Sequence, residues 1–90
     1  MTVIRIPPVL RATVGGAKQV DVVASTVGEA LTALVERHPS LRDQLMTTDG
    51  ALNRFVNVYL DGQDIRYLQE LATPVAEHDS IIVLPAMAGG

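Results

Sequence analysis

Thr26-Val27-Gly28-Glu29-Ala30-Leu31-Thr32-Ala33-Leu34-Val35-Glu36-Arg37-His38-Pro39 carries the clearest helical periodicity in the chain. Val27, Ala30, Leu31, Leu34 and Val35 fall at i, i+3, i+4, i+7 and i+8, which draws one apolar stripe along a helix. Thr26 with Glu29 three residues later has the capping-box pattern, in which side chains satisfy the free backbone donors of a helix start. Arg37 and His38 place positive character near the C-terminal end, and Pro39 cannot continue the helix. One amphipathic helix needs one apolar surface to cover, and the rest of the chain reads as strands that supply it.

Upstream, residues 3–6 form a short β-branched segment that Pro7-Pro8 closes. Residues 9–14 extend it irregularly, Gly15-Gly16 marks a turn, and Gln19-Val20-Asp21-Val22 alternates as the second strand of a hairpin. Downstream, Leu41 and Leu45 at helical spacing suggest a further short helical piece within residues 40–46, and residues 47–50 read as a loop. Phe55-Val56-Asn57-Val58-Tyr59-Leu60 alternates strongly and ends at Asp61-Gly62, a dipeptide whose two positions tolerate positive φ. Residues 63–66 are then a short returning strand. Residues 68–78 look irregular, with Leu71, Val75 and Ala72 turned inward. Ser80-Ile81-Ile82-Val83-Leu84 is apolar enough to sit centrally in a sheet, and Pro85 ends it. The order is β-β-α-β-β-β, an α+β chain whose mixed sheet of four to five strands packs on one main helix.

Composition narrows the function classes. A length of 90 residues makes one domain with a thin core and little room for an enclosed active site. Hydrophobic residues at 48% against 19% charged exclude a disordered chain. A net charge of −3, no run of basic residues and only Phe55, Tyr59 and Tyr67 as aromatics argue against nucleic acid. The absence of cysteine removes disulfides, thiolate ligands and a cysteine nucleophile together. No signal-peptide pattern opens the sequence and no run approaches a membrane span, so a soluble cytoplasmic protein is expected.

Catalytic constellations are absent from the pattern. His38 and His78 stand apart, and His78-Asp79 is adjacency rather than a triad. Asp61 with Asp64 and Glu77 with Asp79 read as turn residues, without the clustering a metal needs. Gly15-Gly16 before Lys18 lacks the spacing of a phosphate loop.

What stands out is the ending, Pro85-Ala86-Met87-Ala88-Gly89-Gly90. Two terminal glycines arise by chance roughly once in 200 sequences, so their place directly after the last strand carries the weight. Together with Arg54-Phe55-Val56-Asn57-Val58-Tyr59-Leu60 and Leu71-Ala72-Thr73-Pro74-Val75-Ala76, this ending resembles the bacterial sulfur carriers related to ubiquitin. That family includes the carriers of thiazole synthesis and of a cysteine-synthesis route, and the small subunit of molybdopterin synthase. The cysteine-synthesis carrier is the best match by eye, and the similarity runs through essentially the whole chain.

The resemblance implies a ubiquitin-like β-grasp domain over residues 1–84 and a flexible tail over 85–90. It further implies that the Gly90 carboxylate, next to Gly89, is the reacting group. A ubiquitin-activating-type adenylyltransferase would join it to AMP using ATP and magnesium, with no cofactor held by the chain itself. A sulfur donor would convert the adenylate into a thiocarboxylate, a soft nucleophile for a sulfur-accepting biosynthetic enzyme, and a metal-dependent peptidase would release cysteine. The chain would be a protein co-substrate, not an enzyme.

Alternation along the strands adds a docking surface. If Val56, Val58, Leu60, Ile81 and Val83 point inward, Asn57, Tyr59, Ile82 and Leu84 point outward beside the tail. Tyr59, Ile82, Leu84, Pro85, Ala86, Met87 and Ala88 are therefore the candidate partner-binding residues, with Arg54 and Arg66 flanking. Rival readings are the small subunit of a two-chain sulfur-transfer enzyme, a covalent modifier joined through Gly90 to lysines, and a binding module with an inert tail. Thiamin, molybdopterin or a sulfur-containing secondary metabolite stay open beside cysteine as the destination of the sulfur.

Overall fold

The computed structural model describes residues 1–49, 51–53 and 56–85. Its strands are β1 Thr2–Arg5, β2 Gln19–Val22, β3 Val56–Leu60, β4 Gln63–Asp64 and β5 Ser80–Pro85. Its α-helices are α1 Pro8–Arg11, α2 Val27–Arg37 and α3 Arg42–Leu45. The strands form one sheet in the order β2-β1-β5-β3-β4. β1 runs antiparallel to β2 and parallel to β5, while β5 is antiparallel to β3 and β3 to β4. This is the ubiquitin-like β-grasp arrangement, with the last strand at the centre of the sheet.

The helix forms where its periodicity places it. Thr26 is the N-cap, its Oγ1 accepting from the Glu29 N–H at 3.1 Å. Glu29 reaches back through Oε1 to the Ser25 N–H at 2.8 Å, one residue earlier than the usual reciprocal bond. Val27, Ala30, Leu31, Leu34 and Val35 are all buried. They pack against Ile4, Val20, Val22, Val56, Val58, Leu60, Ile81 and Val83 from the sheet, with Leu41, Leu45 and Ile65 closing the ends of the core. Gly28 lets residues 70–72 approach the first turn of α2, since a Cβ there would stand 3.1 Å from the Leu71 carbonyl oxygen. The Val27 N–H donates to the Thr73 carbonyl at 2.9 Å, which fixes that approach.

Four expectations change on inspection. Residues 9–14 do not extend β1: Pro8 opens α1 from the first helical position, where its missing N–H costs nothing. A 3₁₀ turn over Ala12–Val14 then leads to the glycine turn. The returning strand stops at Asp64, and Ile65–Tyr67 is a 3₁₀ turn. The residue that turns inward after Leu71 is Thr73, 4% exposed, whereas Ala72 is exposed. β5 runs one residue past Leu84, to Pro85, which pairs with Val56. Residues 54 and 55, expected at the start of β3, lie outside the described residues.

Candidate functional site

β5 is hydrogen-bonded on both sides, and its C-terminal end leads toward residues 86–90. On its inner face Ile81 and Val83 are buried, so alternation sends Ile82 and Leu84 to the outer face. Ile82 stands between Arg5 of β1 and Tyr59 of β3, and Leu84 lies opposite Asn57. Tyr59 and Ile82 are half-buried and Leu84 is 42% exposed. The structure thus brings Tyr59, Ile82 and Leu84 together as one surface on the outer face of the sheet. It lies over the strand that ends in Pro85.

Two features beside that surface were not legible in the sequence. Arg66 is engaged within the fold: its Nη1 donates to Asn57 Oδ1 at 2.7 Å and its Nη2 to the Val56 carbonyl at 3.1 Å. The guanidinium therefore clamps β3 at the end where β5 leaves the sheet. At the opposite end Asp61 is more than a turn residue. Its N–H donates to the Ser80 carbonyl and its Oδ1 accepts from the Ser80 N–H, both at 2.9 Å. The carboxylate pins the start of β5 to the β3–β4 turn, where Asp61 and Gly62 take φ of 49° and 88°. Only the turn chemistry carried a signal for this.

The remaining polar candidates are structural. Asp64 Oδ1 accepts from the Arg66 N–H at 2.9 Å and opens the 3₁₀ turn. Asp79 Oδ2 accepts from the Ala76 N–H at 2.8 Å, and the His78 N–H donates to the Met1 carbonyl, so His78-Asp79 is a turn into β5. Among the described residues Glu77 meets only the exposed N-terminal ammonium, at 3.8 Å. No group of three metal-ligating side chains occurs among the described residues, nor any helix long and apolar enough to cross a membrane. Arg54, Ala86, Met87, Ala88, Gly89 and Gly90 lie outside the described residues.

The Tyr59, Ile82 and Leu84 surface thus lies over the strand that precedes residues 86–90. Comparison with known proteins gives the family. A profile of the ThiS family matches residues 4–90. The sulfur carrier protein CysO of Mycobacterium tuberculosis (strain ATCC 25618 / H37Rv) is 38% identical over 89 residues, covering 97% of this chain and 96% of that one. The crystal structure of the Amycolatopsis orientalis BexX/CysO complex contains a chain that superposes with a TM-score of 0.89 at 34% identity, each chain covered in full at 100%. Small archaeal modifier protein 1 of Haloferax volcanii is 35% identical over 66 residues, 73% of this chain and 71% of its own length. The chain belongs to the ThiS family of sulfur carriers.

Proposed function

We propose that the carrier works through the carboxylate of Gly90, which an activating enzyme adenylates and a sulfur donor converts to a thiocarboxylate. A carboxylate resists nucleophiles because it is already anionic. Joining it to AMP, with loss of pyrophosphate from ATP, supplies a leaving group. Sulfide then displaces AMP to leave the thiocarboxylate, and one oxygen of the original carboxylate departs with the phosphate. A persulfide donor would instead leave an acyl disulfide, which a second thiol cleaves to the thiocarboxylate while itself ending in a disulfide. ATP and magnesium belong to the partner's chemistry, and the carrier supplies only geometry.

The observation that carries this reading is β5 itself. It is paired with β1 over residues 80–82 and with β3 as far as Pro85, which places the point from which residues 86–90 start. The five residues beyond Pro85, fully extended, would span roughly 17 Å, enough to enter a neighbouring active site. Ala86 and Ala88 keep the segment slim, and Gly89-Gly90 allow close approach to the terminal carbonyl. Tyr59, Ile82 and Leu84 form the surface on which the adenylyltransferase and the sulfur-accepting enzyme dock. A related CysO seen in complex with BexX supports a partner-bound working state. Cysteine is the proposed destination of the sulfur, with a metal-dependent peptidase releasing it, and the cytoplasm is the proposed compartment.

Intact mass tests this directly. Incubation with an activating enzyme of this family, ATP and sulfide is expected to add the mass of one oxygen replaced by one sulfur. Deleting Gly90 is expected to abolish the gain. An unchanged mass for the full chain across several activating enzymes would sink the carrier chemistry. A second reading, covalent attachment to lysines, is favoured by the similarity to small archaeal modifier protein 1. It predicts ladders of higher-mass adducts in lysate that the Gly90 deletion removes.

A further inference from the structure

The chain is acidic overall, yet the fold gathers three of its seven Lys and Arg residues around one groove. Arg5 comes from the end of β1, Arg11 from α1 and Lys18 from the loop before β2. The groove holds about 370 Å³. Its other walls are mainly apolar: Pro7 and Pro8 on one side, Ile82 and Leu84 of β5 on the other. No carboxylate lines it among the described residues.

Two of the three cations are also held in place. The Arg11 Nε donates to the Ile6 carbonyl at 3.0 Å, and the Arg5 Nε donates to Ser80 Oγ at 3.3 Å. Hydrogen bonds to described residues take only the Nε of each, which leaves the rest of each fork for an incoming acceptor. Held arginines lose less entropy on pairing than free ones do, which favours recognition of carboxylates.

From this groove we infer a second docking element: it receives an acidic, extended segment of the partner enzyme that takes the tail. The inference rests on the carrier reading above and names the partner's chemistry at the same site. Charge complementarity argues for carboxylates on that segment, and the proline and β5 walls argue for aliphatic side chains between them. A nucleic-acid backbone would find three cations but no aromatic platform among the described residues that line the groove. Ile82 and Leu84 belong both to the groove and to the outer face of β5, so one partner can cover both at once. Such a contact steers encounter and sets orientation before the tail is threaded.

The test uses the full chain and two probes. The first is a synthetic peptide alternating Glu and Leu, titrated into ¹⁵N-labelled protein. Amide shifts centred on Arg5, Lys18 and Leu84 are expected, and they are expected to vanish in the R5E/K18E double variant. A peptide with Lys in place of Glu, and a short single-stranded DNA, serve as controls. Binding of either control at equal strength, or shifts centred elsewhere, overturns the proposal. So does a groove already filled by the chain's own tail, which would show as peptide binding that appears only after residues 86–90 are removed.

The second probe is an activating enzyme shown to modify the parent chain. R5E/K18E is expected to raise KM for the carrier about tenfold, with kcat held and the salt dependence of kcat/KM flattened. An unmoved KM and an unchanged salt slope would refute the groove. R5Q/K18Q, expected to fall between, guards against a folding defect, as does an unchanged unfolding midpoint. If no enzyme modifies the parent chain, the carrier reading fails while the peptide titration still decides whether the groove binds acidic segments.

Discussion

His78 holds a backbone φ of 72°, in the left-handed region that costs a residue with a Cβ about 1–2 kcal/mol. The strain persists because the turn is tied down, with the His78 N–H on Met1 and the Asp79 carboxylate on Ala76. Glycine at this position removes the steric cost but returns part of the gain as unfolded-chain entropy. His78→Gly is therefore expected to stabilise the protein by about 0.5 kcal/mol in urea unfolding. Sulfur acceptance, read by intact mass, is expected to be unchanged, because the side chain is exposed in a turn into the N-terminal end of β5. A loss of acceptance in a stably folded variant would return His78 to the list of functional groups. Thr73 teaches the complementary lesson: a polar residue can be buried when its hydroxyl has work, here accepting from the Gln69 N–H at 3.0 Å. Nothing in a string of residues distinguishes it from its neighbour Ala72, and only the packed structure decides between them.

At the level of elements, local chemistry explains both what was readable and what was not. α2 was legible because stripe, cap and stop all agree, and agreement between levels is what specifies structure. Removing the cap with Thr26→Ala is expected to cost about 1 kcal/mol, seen as a lower urea midpoint with an unchanged slope. A change in slope instead would mean that the compactness of the native or denatured state had altered. The sheet's two faces were equally plain, since β3 alternates buried and half-buried along its whole length. The sequence pattern over-extends β4 because Asp64 offers the backbone a local bond to Arg66 that competes with the ladder. Pro7-Pro8 misled in the same way: the pair ends a strand, but its second member also suits the first turn of a helix. In the candidate site, alternation exposed Tyr59, Ile82 and Leu84, while the engagement of Arg66 by Asn57 joins residues nine apart and left no trace in either.

The whole molecule adds what no segment contains. Arg5, Arg11 and Lys18 sit on three different pieces of chain, so the sequence shows no basic run although the fold builds a basic groove. Stability is also distributed by topology. The central strands β1, β5 and β3 are each paired on both sides, whereas residues 65–78 form short turns in which only Ile65 and Thr73 are fully buried. Native-state hydrogen exchange is expected to show near-global protection at Ile4, Val58 and Val83, and sub-global opening for residues 65–73. Equal protection in both regions would show a single cooperative unit instead. The parallel pairing of β1 with β5 has one more result, which is mechanical. Residue 1 lies beside the beginning of β5, and residue 85 lies at its far end. Tension applied at those two points pulls the strands lengthwise past each other, loading every rung of the ladder together rather than peeling them one at a time.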